Sequence, residues 1–498
     1  MYSQLQSIVS SVSSSQSYGP QYQAVVIPLT KDSKDLSGFA IGAQTKTALE
    51  DVMNCDFFAQ DRERASWVKG QGEDQASFFL LLQLGAESEI SRDSVRNSFG
   101  EACKMASARG FESLAYLLPD NACYAKDFDA GIEGALLASY RFTNYQKEEK
   151  LKQSLKKISF YLDAEDQVGS LSERLNEITK TVDCVFVARD WSNQPTNELG
   201  PDRYTEEVEA LAAKAGLNCT VMHEDELIKR GMNLIMAVGK ASVERPRLIH
   251  LEYKPKAPAK AKIALVGKGV MYDTGGLSLK PSASMMGMKM DMSGSGCVVS
   301  TILAAAALEL PVHVHVVTPV VENAVAGNAT RPGDVVAAKN GKTVEIENTD
   351  AEGRLILADA LCYAEDLGVD RIVDVATLTG ACLIALGDEI AAVLSSDEET
   401  KQMILESSKL RGEKIWPLPL EENYKKLLKS PIADLRNIGG RNAGTITAAL
   451  FLKEFVEKTK WAHLDIAGPS DTEKELPICP RGGTGFSTMT LVEFLKRC

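Results

Sequence analysis

The first residues that could do chemistry in this 498-residue sequence lie in the stretch ALVGKGVMYDTGGLSLKPS. Its apolar start is typical of a strand, and the glycine-rich turn that follows carries Lys268, Asp273 and Lys280. The glycine spacings of the P-loop and of the dinucleotide-binding loop are both absent, so a phosphate site is not indicated. Asp291 follows in MGMKMDMSGSG, before a turn and a predicted helix. Taken alone, each aspartate is more often a cap or turn residue than a ligand.

A second acidic motif, NTDAEGRLILADAL, follows the strand-like run KTVEIE. If the chain is still extended there, Asp350, Glu352 and Arg354 alternate onto one face, because strand side chains repeat every two residues. The alternative is an ordinary capped turn that enters a helix near Leu355. The number of acids in the two motifs together favours a functional site.

Four acids are then predicted at strand or turn ends of one sheet: Asp273, Asp291, Asp350 and Glu352. In a partly desolvated cleft they would repel one another unless cations neutralised them. Neither motif contains any of the five histidines, so the metal ligands would be mainly oxygen atoms. Such a ligand set fits a Zn, Mn, Mg or Co site better than a thiolate-type site. Two such ions about 3.5–4 Å apart lower the pKa of a bridging water from ~15.7 to roughly 7. The motifs therefore predict metal-assisted hydrolysis.

The elements that must position these motifs form an α/β pattern. From about Ala261 onward, strand-like runs (KIALVG, VHVHVVTPVV, RIVDVAT, WAHLDIA) alternate with helical stretches, which predicts a mixed sheet covered by helices. Upstream, AVVIPL, FFLLLQLG and an alanine-rich helix predict a smaller α/β domain. A helical stripe containing Leu171, Leu175, Ile178 and Val182 is expected to bridge the two. We predict an amino-terminal α/β domain at 1–165 and a catalytic domain at 166–498.

Composition and charge narrow the class of protein. The excess of 68 Asp and Glu over 55 Lys and Arg gives a net charge of −13, which disfavours nucleic acid as the default partner but leaves it open. The ten cysteines show no CxxC pair and are expected to be reduced thiols. The first segment lacks both the apolar core of a signal peptide and the arginines of a transit peptide. No apolar run has the length of a membrane span. We expect a cytoplasmic protein that is not integral to a membrane.

The motifs resemble those of the leucyl aminopeptidase (cytosol aminopeptidase) family. NTDAEGRL at 348–355 matches the family signature at every position, and GKGVMYDTGG, LSLKP, MKMDM, DVATLTGA, AGTITAALFLKEF and WAHLDIAG match in the same order. The resemblance extends from roughly residue 180 to the carboxyl end and is weak in the amino-terminal domain. It implies a metallo-exopeptidase that removes amino-terminal residues from peptides and assembles as a homo-hexamer.

The resemblance also implies the ligands of two divalent ions, Zn²⁺ or Mn²⁺ with Mg²⁺ or Co²⁺ as alternatives. Asp273 and Glu352 would contact both ions, Asp350 would hold one of them, and Lys268 with Asp291 would complete the other. A lysine ligand must be neutral, and two adjacent dications together with burial would favour loss of its proton.

Further residues are implied to serve the reaction and the substrate. Lys280 would stay charged and stabilise the oxyanion of the tetrahedral intermediate, and Arg354 would bind a bicarbonate that relays a proton from the water. The substrate's α-amino group would coordinate a metal, and Asn348 would help to hold the substrate. The pocket for the first side chain is implied to be small and mainly apolar, and to fit Leu or Met. Its residues are Met288, Thr377, Gly380, Ala467 and Ser470.

Two other functions are alternatives. A serine hydrolase could use Ser295, which lies in a Gly-Ser-Gly turn, with His463 and Asp465 as partners, but the full glycine pattern of the nucleophile elbow is missing. A hexameric structural or DNA-binding protein could keep the same fold, although retention of every metal-site residue favours an enzyme. His313 and His315, two apart on an apolar strand, are expected to be core histidines without a catalytic role.

Overall fold

The computed structural model describes residues 8–19, 21–32, 35–36, 38–55, 64–75, 77–119, 122–147, 155–163 and 165–498. The chain divides into two compact units, Met1–Asp183 with Lys474–Arg481 and Cys184–Glu473 with Gly482–Cys498. The expected α/β architecture with two domains is thereby confirmed. The predicted boundary after residue 165 falls at the start of a long helix, and the two units divide within that helix.

Six strands form one sheet in the described part of the first unit. They are β1 (Val9–Ser14), β2 (Ala24–Leu29), β3 (Ala65–Lys69), β4 (Phe78–Gln83), β5 (Ser113–Leu118) and β6 (Lys157–Leu162). The spatial order is β1-β6-β5-β2-β4-β3, and only the β3–β4 pair is antiparallel. Every residue of AVVIPL in β2 is buried, as expected for a parallel strand with both faces covered.

The helices of the first unit are α1 (Ala43–Met53), α2 (Arg92–Ala108) and α3 (Phe128–Ala138), and α4 (Glu165–Asn193) continues into the second unit. The expected helical stripe lies in α4, where Leu175, Ile178 and Val182 are buried. The alanine-rich segment predicted as a helix corresponds to α3, which is buried along most of its length.

The strands of the second unit are β7 (Asn218–Met222), β8 (Arg247–Tyr253), β9 (Lys262–Gly267), β10 (Gly269–Asp273), β11 (His313–Asn323), β12 (Asp334–Ala337), β13 (Thr343–Ile346), β14 (Arg371–Ala376), β15 (Ala391–Ser395), β16 (Ile415–Pro417), β17 (Leu435–Arg436), β18 (Lys460–Asp465), β19 (Asp471–Thr472) and β20 (Gly482–Gly483). Its main sheet has the order β16-β15-β18-β14-β9-β11-β8-β7, and β10 pairs with β11. The central strands β18, β14, β9 and β11 are parallel, so their carboxyl ends meet at one edge.

The helices of this unit are α5 (Pro201–Ala215), α6 (Glu224–Lys229), α7 (Asn233–Gly239), α8 (Ser282–Met285), α9 (Ser293–Ala307), α10 (Gly353–Asp366), α11 (Gly380–Leu386), α12 (Glu398–Arg411), α13 (Gly444–Lys453) and α14 (Thr488–Arg497). The stretch Met288–Ala307, which includes α9, is long and apolar enough to cross a membrane by length and composition. It is mostly buried inside the protein, which is the position of a core helix.

The second acidic motif departs from the sequence prediction in two respects. It follows β13, which pairs with β12 and β17 in a separate small sheet, so the four acids do not all lie at the ends of one sheet. The chain is also not extended there, because β13 ends at Ile346 and Glu352 already has helical dihedral angles (φ −76°, ψ −35°). The predicted alternation of Asp350, Glu352 and Arg354 on one face of a strand is therefore wrong.

Candidate metal centre

Lys268, the residue directly after β9, is the most deeply placed cation of the site. Its side chain is buried, and Nζ lies 2.7 Å from Oδ1 of Asp291, 2.9 Å from Oε1 of Glu352 and 2.8 Å from the carbonyl oxygen of Thr377. Burial by itself lowers the pKa of Lys268, but the Asp291, Glu352 and Asp273 carboxylates outweigh it and raise that pKa above its usual value. Lys268 thus joins the first motif to the second.

Asp273 is aimed into the site by a bulge at the end of β10. Val270 and Asp273 are three positions apart on β10, but they pair with Val321 and Asn323, which are two positions apart on β11. An extra residue of this kind bends a strand and redirects its side chains. Oδ1 of Asp273 then accepts hydrogen bonds from Nδ2 of Asn323 and from the backbone N–H of Gly275, each at 2.8 Å. These bonds hold the carboxylate in one orientation.

Lys280 makes the second connection between the motifs. Its Nζ lies 2.8 Å from Oδ2 of Asp273 and 2.5 Å from Oδ1 of Asp350. Burial lowers the pKa of Lys280, and the two carboxylates raise it above its usual value. The Lys280 side chain is 15% exposed whereas that of Lys268 is 4% exposed, so Lys280 is the lysine nearer to solvent.

The carboxylates are close enough to hold a metal ion. Asp273, Asp350 and Glu352 each offer one oxygen, and these atoms lie within 4.8 Å of one another. Oδ2 of Asp291 is buried and has no hydrogen-bond partner among the described residues, so it is an unused ligand atom. Four acids surround two lysines, and a divalent cation would balance the excess negative charge. The residues therefore fit the oxygen-rich metal site expected from the sequence.

The crowding of acids affects their proton affinities. Burial, together with the neighbouring Asp273 carboxylate, raises the pKa of Glu352 to about 8 against the opposing effect of Lys268. Burial also raises the pKa of Asp291 to about 6 and that of Asp350 above its usual value. Loss of these protons and binding of a cation would favour each other.

Arg354 lies in the first turn of α10, and its guanidinium is buried. Nη1 donates to the carbonyl oxygen of Asn437 at 2.8 Å, and Nε has no hydrogen-bond partner in the part of the chain that the structure describes. Burial lowers the pKa of Arg354 to about 10, and Glu352 opposes that shift. A buried guanidinium with a free N–H group can bind a small anion.

Asn437 was not predicted from the sequence. Its Nδ2 donates to the carbonyl oxygen of Asn348 at 2.6 Å, and its own carbonyl oxygen accepts from Arg354. Asn348 in turn accepts a hydrogen bond from the backbone N–H of Asp350 through Oδ1. Asn437 follows the two-residue strand β17 in an irregular segment without a recognisable motif, so no sequence signal identified it.

The predicted pocket residues have different surroundings. Thr377 is buried, and its hydroxyl donates to Oδ1 of Asp291 at 2.6 Å, so it belongs to the carboxylate site itself. Met288 and Ala467 are half-buried, Gly380 is exposed, and Ser470 is buried. The Ser470 hydroxyl has no hydrogen-bond partner within the described residues.

Asp465 was assigned only to the serine-hydrolase alternative, but the structure gives it a different place. Its carboxylate accepts hydrogen bonds from the backbone N–H groups of Leu378 and Ala467 and from the hydroxyl of Thr379. It therefore links the turn after β14, which contains Thr377, to the turn after β18. Asp465 and Asn323 are each a polar residue at the end of a central strand, and this position is the sequence signal that could have identified both.

The serine-hydrolase arrangement is not present. Oγ of Ser295 is buried, lies 2.7 Å from the Tyr204 hydroxyl and accepts from the Thr318 hydroxyl at 2.7 Å. His463 is hydrogen-bonded through Nδ1 to Oδ1 of Asp374 at 2.5 Å. The serine and the histidine thus belong to separate hydrogen-bonded groups, and this alternative is not favoured.

Comparison with known proteins gives a consistent result. Residues 186–492 match the catalytic domain of the cytosol aminopeptidase family, and residues 26–149 match its amino-terminal domain. The chain is 40% identical to a probable cytosol aminopeptidase of Syntrophotalea carbinolica, over 89% of this chain and 90% of that one. It is 46% identical to a probable cytosol aminopeptidase of Picosynechococcus sp., over 84% of each chain. The bottromycin maturation enzyme BotP in complex with Mn is structurally similar, with a TM-score of 0.84, 33% identity and coverage of 96% of this chain and 99% of that one.

Proposed function

The chain belongs to the cytosol aminopeptidase family, and we propose that it removes the amino-terminal residue of peptides by means of a water molecule activated by two divalent metal ions. Membership of the family makes it a metal-dependent aminopeptidase and hence a peptide hydrolase. The observation that carries the two-metal proposal is the set of carboxylate oxygens from Asp273, Asp350 and Glu352 within 4.8 Å of one another. Lys268 connects Glu352 to Asp291, whose Oδ2 has no hydrogen-bond partner among the described residues.

Two groups of ligands support two ions. On one side of the site, Lys268 contacts both Asp291 and Glu352. On the other side, Lys280 contacts both Asp350 and Asp273. We propose that Asp273 and Glu352 contact both ions, that Asp350 holds one, and that Lys268 with Asp291 completes the other. The donors suit Zn²⁺ or Mn²⁺, with Mg²⁺ or Co²⁺ as alternatives. The similar BotP structure is described in complex with Mn.

Lys268 can act as a ligand only in its neutral form. Without metal, its ammonium balances Asp291 and Glu352 at 2.7 and 2.9 Å, while burial works against the charge. Two dications would neutralise these same carboxylates and so remove the attraction that keeps the proton on Lys268. Burial would then favour the neutral amine.

The bound ions would supply the attacking hydroxide, since they lower the pKa of water to roughly 7. Lys280 has its charge near solvent and is held by Asp273 and Asp350, so it can approach the substrate carbonyl. We propose that it stabilises the oxyanion, because a fixed positive group acts most strongly on charge that develops in the transition state. Its contacts with two carboxylates keep it in position before the substrate arrives.

Arg354 is proposed to bind bicarbonate, which would relay a proton from the water. Support comes from its buried guanidinium, whose Nε is unpartnered among the described residues and whose Nη1 is held by Asn437. The Asn437 side chain also bonds the backbone of Asn348, so the proposed anion site and a proposed substrate-binding residue are positioned together.

The substrate's α-amino group is proposed to coordinate a metal, which explains removal of one residue at a time. The proposed pocket for the first side chain is small and mainly apolar and favours Leu or Met. It comprises Met288, Thr377, Gly380, Ala467 and Ser470, with Asn348 holding the substrate. We also propose a homo-hexamer in the cytoplasm. The family resemblance supports the hexamer, and the scattered spacing of the ten cysteines, without a CxxC pair, supports a reducing compartment.

Cleavage of leucine p-nitroanilide tests this function. Hydrolysis should be abolished by a chelator, restored by Mn²⁺ or Zn²⁺, and accompanied by two bound metal ions at the acidic site. Loss of activity with a serine-reactive reagent, together with indifference to the chelator, would contradict the metal mechanism. Sedimentation of the native protein tests the hexamer separately, and a panel of amino-acyl substrates tests the preference for Leu and Met.

A further inference from the structure

A second group of metal-ligating side chains lies on the main sheet of the second unit, outside the two acidic motifs. It contains three of the five histidines in the chain. His250 and Glu252 lie on β8, and His313 and His315 lie on the antiparallel neighbour β11, where His315 pairs directly with Glu252. Residues two apart on a strand share a face, so all four side chains stand on the same face of the sheet.

Three of these residues converge. Glu252, His313 and His315 each offer one ligand atom, and the three atoms lie within 4.8 Å of one another. Nε2 of His313 is 3.0 Å from Oε1 of Glu252. His315 is only 3% exposed, and its Nε2 is buried without a hydrogen-bond partner among the described residues. A buried imidazole nitrogen without a partner is costly unless something binds it.

Neighbouring groups orient these ligands. Nδ1 of His315 is 2.9 Å from Nε2 of His250, and Nδ1 of His250 is 3.1 Å from the Tyr363 hydroxyl. These hydrogen bonds allow an arrangement of tautomers in which Nδ1 of His315 donates to His250 and Nδ1 of His250 donates to Tyr363. The lone pair of His315 Nε2 is then free for a metal. The second oxygen of Glu252, Oε2, accepts from Nδ2 of Asn218 at 3.0 Å. Hydrogen bonds of this kind set the tautomer and orientation of metal ligands.

The cluster is far from the proposed two-metal centre. His315 and Asn323, which contacts Asp273, are eight residues apart on the extended strand β11, or about 26 Å at the usual rise per residue. The ligand types of the two sites also differ. The cluster offers two imidazoles and one carboxylate, whereas the proposed two-metal centre is almost entirely oxygen-based. Imidazole ligands suit Zn²⁺, Cu²⁺ and Ni²⁺, and two histidines with one glutamate form a known three-ligand zinc set.

We propose that Glu252, His313 and His315 bind a third divalent transition-metal ion, with Zn²⁺ as the best match. The fourth position is open to water, since the His313 and Glu252 side chains are 17% and 19% exposed. Lys254, which lies 3.0 Å from Oε1 of Glu252, must move aside, and its 61% exposure allows this. The proposal revises the expectation that His313 and His315 are simply core histidines, and it does not depend on the aminopeptidase activity.

Zinc binding to the full-length protein tests this site. Metal-depleted wild type, His313→Ala and His223→Ala are dialysed against Zn²⁺ and analysed for bound metal. His223 is an exposed histidine outside the cluster, at the start of α6, and serves as the matched control. We expect wild type and His223→Ala to bind equally, and His313→Ala to bind one Zn²⁺ fewer per chain while keeping its hydrolytic activity.

A second measurement identifies the ligands. Cu²⁺ bound at the cluster should show coupling to two imidazole nitrogens in its electron paramagnetic resonance spectrum. This signal should remain in a double variant of the acidic site, Asp350→Asn with Glu352→Gln. It should disappear in His313→Ala. Equal zinc content in wild type and His313→Ala, or a copper spectrum unchanged by His313→Ala, would overturn the proposal. The group would then be a hydrogen-bonded histidine cluster without metal.

Discussion

Lys268 runs so close to Gly353 that a Cβ atom on residue 353 would lie 2.6 Å from Cε of Lys268. Such a separation is far below a van der Waals contact, so residue 353 must lack a side chain if Lys268 is to reach Asp291 and Glu352. Gly353 does not have a positive φ, and the requirement for glycine is therefore one of space.

The substitution Gly353→Ala is expected to displace Lys268 and to lower kcat/KM about 100-fold, the cost of a misplacement near 1 Å in a catalytic site. Overpacking should also destabilise the protein by about 1–3 kcal/mol. The matched control is Gly296→Ala in α9, where a new Cβ meets no atom closer than 3.6 Å. Hydrolysis of leucine p-nitroanilide and thermal unfolding measure both effects, and equal activity of the two variants would contradict the steric argument.

Removal of charge from the acidic site should abolish activity. Asp350→Asn or Glu352→Gln preserves side-chain size but takes away a proposed ligand. Loss of a supporting residue around a metal costs about 10–100-fold, so loss of a ligand should cost at least about 100-fold. Circular dichroism should show an intact fold. Asp334→Asn, an acid in β12 outside the site, is the control, and turnover near that of wild type in either site variant would mean that the site is wrongly assigned.

Lys280→Ala should mainly lower kcat, by about 10²–10³-fold, because the proposed contact of Lys280 with the substrate would strengthen as the oxyanion develops. Metal content should not fall, since the variant leaves Asp273 and Asp350 more strongly negative. Steady-state kinetics with metal analysis separates the two effects. A change confined to KM would show that Lys280 binds the substrate without stabilising the transition state.

Thr377 offers a test of the support given to a proposed ligand. Thr377→Val keeps the shape of the side chain but removes the hydroxyl that donates to Asp291 at 2.6 Å. Metal affinity is expected to fall about 10–100-fold. Thr377→Ser retains the hydroxyl and should bind metal much as wild type does. If both variants lose affinity equally, packing of the methyl group, and not the hydrogen bond, is what matters.

Removal of metal should reverse the sign of the pH dependence of stability: stability should fall with rising pH in the metal-free protein and rise in the metal-bound protein. Burial and neighbouring acids raise the pKa of Glu352 to about 8 and that of Asp291 to about 6, above the ordinary values of 4.5 and 3.8. The folded metal-free protein therefore binds more protons than the unfolded chain at intermediate pH, and this contribution to stability is lost as pH rises from about 4 to about 8. Bound metal needs the deprotonated carboxylates, so metal affinity should rise over the same range.

Thermal unfolding with and without chelator, at several pH values, measures this reversal. The metal-free wild type should lose Tm as pH increases, and Glu352→Gln should show a smaller slope because its side chain cannot titrate. Identical slopes in the two proteins would indicate that Glu352 is not the group responsible.

The sequence determined much of this molecule because local pattern carries the information. Apolar runs such as KIALVG produced the central strands, since a parallel strand covered on both faces must be apolar along its length. The acids and lysines of the two motifs were recognisable because they follow these runs and match a family signature. The class of chemistry followed from residue types, since several acids in one cleft need cations.

Only the tertiary structure decided how the two motifs meet. The second motif belongs to a different sheet from the first, and the bulge in β10 that aims Asp273 depends on its pairing with β11. Asn437 supports Arg354 from 83 residues away, and His250 and His315 are joined across 65 residues. Such contacts depend on long-range packing, which periodicity in the sequence does not encode, and so the partners of each charged group became known only from the folded chain.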